Sequence, residues 1–228
     1  MDICVFGAAS NEINPEYIKK AEELGKAIAK RGHALVFGAG NNGMMGASAR
    51  GVRSAGGKIT GVIPEFFKEE SIEQIFPECD EIIYTETMAQ RKAKMEDLAE
   101  AFIIVPGGIG TFEEFFEVLT LKQLGRHTKP IVIYDILGYY DKLEEFLKVA
   151  FDERFIRNDC RLLYEKCSNP TGALDYIEND KRIKRDVHDL KNGWFEALHL
   201  QCFCYEKFIN GYNTCINFLN GDFYKCRT

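Results

Sequence analysis

Residues 105–114 read VPGGIGTFEE, an apolar run that ends in a proline and three glycines before a threonine and paired glutamates. A surface turn is satisfied by about one glycine. Gly107, Gly108 and Gly110 instead strip the chain of Cβ atoms, which permits positive φ and lets a ligand reach backbone amides directly. With a helix beginning at Thr111, those amides lie at its N-terminus, where unpaired N–H groups and the macrodipole favour an anion. A phosphate is the natural guest. Thr111-x-x-Glu114 also reads as a plain capping box, worth about 1 kcal/mol. That reading accounts for the threonine and the glutamate but not for Pro106 and the glycines. Upstream, TMAQRKAKM sets Arg91 beside Lys92 on a helix that Thr85 or Thr87 caps. Lys92 reads equally well as half of a solvated basic pair.

The elements that must position these residues are legible from hydropathy. Short runs apolar on both faces, at 3–7, 34–38, 58–64, 80–85, 101–107 and 130–135, suit buried parallel strands. Helical patterns alternate with them. Tyr17, Ala21, Leu24 and Ile28 follow helical spacing, with Pro15 in the first turn and Gly32 as the stop. Phe112, Phe115, Phe116 and Leu119 mark a buried stripe on the helix expected at 111–124. The expected fold is therefore α/β, a doubly wound, Rossmann-like and mainly parallel sheet with helices on both faces. Ligands in such sheets sit beyond the carboxyl ends of the strands.

A second glycine stretch, FGAGNNGMMG, contains Gly38-x-Gly40-x-x-Gly43, the letters of a dinucleotide fingerprint. It follows the second run rather than the first, and Glu65 is the nearest acid for a ribose. Tight packing of helix on strand, served by Gly43 and Gly46, is the simpler reading.

The 228 residues suit one compact domain, expected over 1–180, with an atypical extension over 181–228. A net charge of −6 argues against a nucleic-acid partner, and no apolar run approaches the roughly 20 residues of a membrane span. MDICVFGAAS lacks a basic leader, so the eight cysteines read as reduced thiols of a cytoplasmic protein. In the extension, His199, Cys202, Cys204, Cys215 and Cys226 suggest zinc ligands by type, but C-x-C is not finger spacing. A plain appendage, poorly ordered or covered by a partner, is the reading preferred here.

The set FGAASN, LVFGAGNNGMMG, GGKITGVIP, MAQRKAKM and PGGIGTFEE resembles the LOG ("lonely guy") family over roughly residues 2–180. Those proteins are cytokinin-activating phosphoribohydrolases, long labelled lysine decarboxylases. Their signature P-G-G-x-G-T-x-x-E is matched from Pro106 to Glu114, and their Arg-Lys pair by Arg91 and Lys92. The resemblance implies that Arg91 and Glu114 form the catalytic pair. It implies that Met88, Lys92, Gly107, Gly108, Gly110, Thr111 and Thr120 line a site for a nucleoside 5′-monophosphate, AMP or an N6-modified AMP. Ala8 and Ala9 replace the usual Gly and Ser after the first strand, leaving Ser10 as the hydroxyl there, and Gly-Ala-Gly at 38–40 replaces Gly-Gly-Gly. A homodimer is implied; no cofactor is expected, and no metal, because no cluster of His, Cys and carboxylate ligands converges on these loops. Glu114 is expected to work as a carboxylate kept ionised by the helix N-terminus and by Arg91. A binding module that holds the nucleotide without turning it over is the competing expectation.

Overall fold

The computed structural model describes residues 1–70, 73–184, 190, 214–217 and 222–225. The chain divides into two compact units, Met1–Leu190 and Lys191–Thr228. In the first, strands β1 (Asp2–Phe6), β2 (Ala34–Phe37), β3 (Ile59–Pro64), β4 (Glu81–Thr85), β5 (Ala101–Ile104), β6 (Ile131–Tyr134) and β7 (Glu165–Cys167) form one sheet. Its order is β4-β3-β2-β1-β5-β6-β7, and each neighbouring pair is parallel. The helices are α1 (Pro15–Lys30), α2 (Gly43–Ser54), α3 (Glu65–Glu69), α4 (Met88–Leu98), α5 (Ile109–Gln123), α6 (Asp141–Asp152) and α7 (Pro170–Asn179). A short 3-10 turn covers Asn158–Leu163. This is the Rossmann-like α/β fold expected from the sequence. Among the described residues no helix is long and apolar enough to cross a membrane.

Alternation along the strands supplies both faces of the sheet. Ile3 and Val5 of β1 join one core with Ala21, Leu24 and Ile28 of α1, Val52 of α2, and Leu174 and Ile177 of α7. Cys4 and Phe6 point the other way, into a core with Met95 of α4, Phe115 and Val118 of α5, and Leu147 and Phe151 of α6. Burial of both faces is why these strands read as continuous apolar runs. On α5 the stripe differs from expectation. Phe115 is buried and Phe112 and Leu119 pack half-buried against the same core, but Phe116 is 38% exposed, and Thr111, Val118 and Lys122 complete the inward face.

Pro15 occupies the first turn of α1, Asn14 caps it, and Gly32 turns the chain out with φ +76°. Strand β7 was not expected. It is a short edge strand with two exposed polar residues, Glu165 and Lys166, which leave no apolar run to read.

In the second unit, β8 (Thr214–Asn217) pairs antiparallel with β9 (Asp222–Lys225). Cys215 falls within β8, whereas His199, Cys202, Cys204 and Cys226 lie outside the described residues.

Helices α1 and α2 approach closely because glycines line their contact. A Cβ on Gly25 would lie 2.0 Å from the Ser48 carbonyl oxygen, and one on Gly51 would lie 2.1 Å from that of Glu22. Neither obstacle is a side chain that can swing away. Gly25→Ala is therefore expected to cost about 1–3 kcal/mol, read as a lower denaturant midpoint at unchanged slope. An unchanged midpoint would show that the helices separate freely.

Candidate active site

Strand β1 leads outward to β2, β3 and β4, and the chain then returns to place β5 on the other side of β1. The loops leaving β1 and β5 thus flank the switch point, where open α/β sheets hold ligands. The Ala8 amide donates to the Pro106 carbonyl at 3.1 Å and joins the two loops.

Arg91 sits one turn into α4, whose N-cap is Thr87, its hydroxyl accepting from the Gln90 amide at 3.1 Å. Its side chain is only 8% exposed. Nε donates to the Val62 carbonyl of β3 at 3.2 Å, and Nη1 donates to Glu114 Oε1 at 3.3 Å. The guanidinium passes directly over Gly38, where a Cβ would lie 1.9 Å from Nη2. Gly38 is bare because Arg91 occupies the space its side chain would take.

The other fingerprint glycines also have protein neighbours. A Cβ on Gly40 would lie 2.2 Å from Glu73 Oε1. Gly43 has φ +60° and abuts the backbone of Ala8 to Ser10, while Gly46 abuts the Asn41 carbonyl. Glu65 is exposed at the start of α3. Packing, rather than a pyrophosphate, explains the motif.

Helix α5 starts at Ile109, two residues earlier than expected, with Gly108 as an N-cap that offers no side-chain bond. Thr111 and Glu114 therefore do not form a capping box. Gly107, Gly108 and Gly110 are not among the positive-φ residues either. Gly107 is bare because its Cβ would fall 2.1 Å from Thr111 Oγ1, whereas Cβ atoms on Gly108 and Gly110 would meet nothing within 4 Å. The Phe112 amide is the first to find a helical acceptor, the Gly108 carbonyl. Among the described residues the amides of 107–111 donate to no protein acceptor. Gly108, Ile109 and Gly110 are exposed while Gly107 and Thr111 are buried, so the open part of this shelf of N–H groups is 108–110, at a helix N-terminus, the kind of place that favours an anion.

The electrostatics correct one expectation. Glu114, 11% exposed, has its carboxyl pushed up to about 7, first by burial, with Arg91 opposing and Glu113 adding to the rise. The macrodipole fades beyond the first turn, and Glu114 is the sixth residue of α5. Desolvation therefore outweighs the ion pair.

The remaining predicted residues divide. Ser10 stands in the loop after β1, its hydroxyl accepting from the Glu12 amide at 3.1 Å. Met88 opens α4 and is 39% exposed. Lys92 is neither a solvated pair nor a free cation. It bonds Glu113 and pairs with Glu117 at 2.7 Å, tying α4 to α5. Thr120 is exposed, and six residues along the helix carry it about 9 Å beyond Glu114. One chain alone does not bring it to the loop.

The structure adds Glu73, which sequence reasoning missed. Residues 73–76 cross the end of β2, with Asn41 N donating to Gln74 O and Phe76 N to Ala39 O, both at 2.8 Å. Burial raises the Glu73 carboxyl while Arg91 lowers it, and its buried Oε1 has no hydrogen-bond partner among the described residues. Gly40, left bare for a carboxylate, was the one available signal. A cleft of about 420 Å³ along α1, and one of about 280 Å³ lined by residues of α5, α7 and β7, contain none of these site groups. A phosphate held by amides needs a shelf rather than a cavity.

Fold and site together define a Rossmann-like α/β protein with free amides at a helix N-terminus beside a buried arginine–glutamate pair. The family described as "possible lysine decarboxylase" matches residues 45–177. A cytokinin riboside 5′-monophosphate phosphoribohydrolase of Arabidopsis thaliana is 38% identical over 178 residues, covering 77% of this chain and 82% of its own. One from Mycobacterium tuberculosis is 41% identical over 154 residues, covering 68% and 81%. Among solved structures, the molybdenum cofactor carrier protein of Chlamydomonas reinhardtii superposes with a TM-score of 0.59 at 25% identity, covering 78% of this chain and 94% of that one. The molybdenum cofactor binding protein of Rippkaea orientalis gives 0.60 at 21% identity, covering 78% and 94%, a likeness of fold. The chain belongs to the family of the first two relatives, the LOG family.

The raised Glu114 carboxyl has a consequence for stability. A group bound more tightly by protons when folded adds stability below its unfolded value near 4.5, and that contribution is lost as pH rises through about 7. Glu114→Gln removes this dependence. Between pH 5 and 8 the wild type is expected to lose up to about 3 kcal/mol relative to the variant in urea unfolding. A difference constant with pH would mean that Glu114 ionises as an ordinary carboxylate.

Proposed function

We propose that the protein hydrolyses the N-glycosidic bond of purine nucleoside 5′-monophosphates, releasing the free base and ribose 5-phosphate. The observation that carries this reading is the buried Arg91–Glu114 pair one turn from an open shelf of amides. The 5′-phosphate rests on the amides of 107–111, which directs the ribose toward Glu114. As the C1′–N bond breaks, its electron pair leaves with the base and positive charge grows on the ribose, as in O-glycoside cleavage. The Glu114 carboxylate stabilises that charge and orients the water whose oxygen joins C1′. One proton from the water ends on the base. Arg91, a group that stays cationic, positions Glu114 rather than donating a proton. Thr111, whose side chain lies against Gly107, and Ser10, in the loop after β1, are the hydroxyls we assign to substrate binding.

The older family description points to different chemistry, in which a lysine amine forms a Schiff base with an electron-sink cofactor. Lys92, the lysine closest in sequence to Arg91, is engaged by Glu113 and Glu117 and presents no free amine. The relatives' names specify cytokinin riboside 5′-monophosphates; AMP and N6-modified AMP are the substrates we propose for this chain.

We infer a symmetric homodimer as well, in a cytoplasmic setting. Ile109, 88% exposed, shares one helical stripe of α5 with Phe116 and Thr120, and this apolar strip borders the shelf. A two-fold partner laid on that strip would bring Thr120 of one protomer toward the loop of its partner.

Purified protein incubated with AMP and with N6-isopentenyl-AMP is expected to release base and ribose 5-phosphate. Release from no nucleoside monophosphate would overturn the assignment. Because the ionised Glu114 acts, kcat/KM should rise with pH and level off above about 7. Glu114→Gln should lower kcat by a factor on the order of 10² or more while AMP still binds. Near-normal turnover in that variant would remove Glu114 from the chemistry. Light scattering at micromolar concentration should give twice the 26.0 kDa chain mass, and a monomer there would contradict the dimer.

A further inference from the structure

The shelf has an unusual covalent feature. Its 107–108 peptide lies between two glycines, so no side chain on either flank resists rotation of that unit. A flip would turn the Gly108 amide away from the shelf and present a carbonyl to an arriving anion. Something else must hold the unit.

The carbonyls of residues 105–107 are each held from outside the loop. Val105 O accepts from Tyr140 Oη at 2.8 Å, Pro106 O from the Ala8 amide at 3.1 Å, and Gly107 O from Tyr139 Oη at 2.6 Å. In a trans peptide the carbonyl of one residue and the N–H of the next point in opposite directions, and no peptide among the described residues is cis. Holding Pro106 O therefore sets the direction of the Gly107 amide, and holding Gly107 O sets that of Gly108.

We propose that Tyr139 is a positioning residue whose hydroxyl, by fixing the Gly107 carbonyl, aims the Gly108 amide at the substrate's 5′-phosphate. This rests on the phosphoribohydrolase reading above for the identity of the anion.

Tyr139 is itself held by a turn built for the purpose. Leu137 and Gly138 have φ values of +56° and +71°, and the Tyr139 amide donates to Ile136 O at 3.2 Å. Asp135 accepts from the Tyr140 amide at 2.9 Å and pairs with Lys166 at 3.2 Å. The Tyr139 ring meets Tyr17 of α1 and Tyr140 edge-on, at centroid separations of 6.1 Å and 5.0 Å. A left-handed leucine is a backbone strain that surrounding structure must hold in place, and these contacts hold it.

Tyr139→Phe in the full chain tests this, because Phe retains both ring contacts and removes only the hydroxyl. The readouts are KM and kcat for AMP, the dissociation constant of inorganic phosphate by calorimetry, the inhibition constant of adenosine, and the thermal midpoint. Loss of one shelf donor should raise KM for AMP and the phosphate dissociation constant about fivefold to thirtyfold. The adenosine constant and thermal midpoint should stay at wild-type values, since adenosine has no phosphate to place on the shelf. Phosphate binding within twofold of wild type would overturn the proposal. Equal weakening toward phosphate and adenosine would also overturn it, by showing a general loosening of the site. Phosphate binding is read without turnover. A wild-type protein that binds phosphate through Tyr139 but releases no base would fail the hydrolase reading and keep this one.

Discussion

A guanidinium buried beneath the end of a parallel sheet is the constraint around which the site is arranged. Arg91 must satisfy its donors out of water, and an unpaired charge there would be prohibitive. It finds the Val62 carbonyl at the end of β3 and the Glu114 carboxylate on α5, with Gly38 reduced to bare backbone beneath it. Glu73 approaches across Gly40 and feels the same charge. One cation thus organises groups from β2, β3, α4, α5 and the segment before β4. Its attraction still does not bring Glu114 back to ordinary acidity, since desolvation of the carboxyl is the larger effect. Two carboxylates near one buried cation are under-compensated. A ribose that gains positive charge as its base departs would relieve that imbalance, and the relief comes in the transition state rather than in the bound substrate.

The layout of the fold was legible because its inner strands are buried on both sides, and the edge strand β4 keeps Ile82 and Ile83 half-buried. Strands β1 to β6 announce themselves as Val- and Ile-rich runs, and α1 is marked by proline, an apolar stripe and glycine. What escaped were features defined by exposure. Glu165, Lys166 and Cys167 form an edge strand without an apolar run. Phe116 has the composition of a core residue and the position of a surface one. The start of α5 was misplaced because Thr111 looks like a cap, whereas Gly108 holds that position with no side-chain bond at all.

The site was legible in its residue types and much less in its reasons. The glycines of VPGGIGT were correctly singled out, but positive φ is not why they are there. Gly107 yields to the Thr111 side chain, and Gly108 and Gly110 face open space. The pairing of Arg91 with Glu114 crosses 23 positions of sequence, and no periodicity links them. Glu73 and Tyr139 lay beyond reach for the same cause. Each acts through a contact between loops, at 2.2 Å from an imagined Cβ of Gly40 in one case and 2.6 Å from a carbonyl in the other. Such contacts depend on where the sheet order places strand ends.

That order explains why a rigid sheet and a polar loop coexist here. Because β1 and β5 are neighbours while their following helices pack on opposite faces of the sheet, the loops leaving them meet at the switch point, where the Ala8 amide bonds the Pro106 carbonyl. A fold of this kind leaves function to the loops that its sheet carries. In this chain the sheet's two apolar cores hold β5 in place up to Val105, and the next residues abruptly change character. The Pro106 and Gly107 carbonyls are held by Ala8 and Tyr139, which sets the amides of Gly107 and Gly108 on the opposite side of their peptides. Unpaired N–H groups are costly when buried; at this strand end Gly108, Ile109 and Gly110 are exposed. The core supplies the rigidity and the held carbonyls supply the direction. Preorganised donors of this kind need no rearrangement when charge arrives, and that is the property an anion shelf requires.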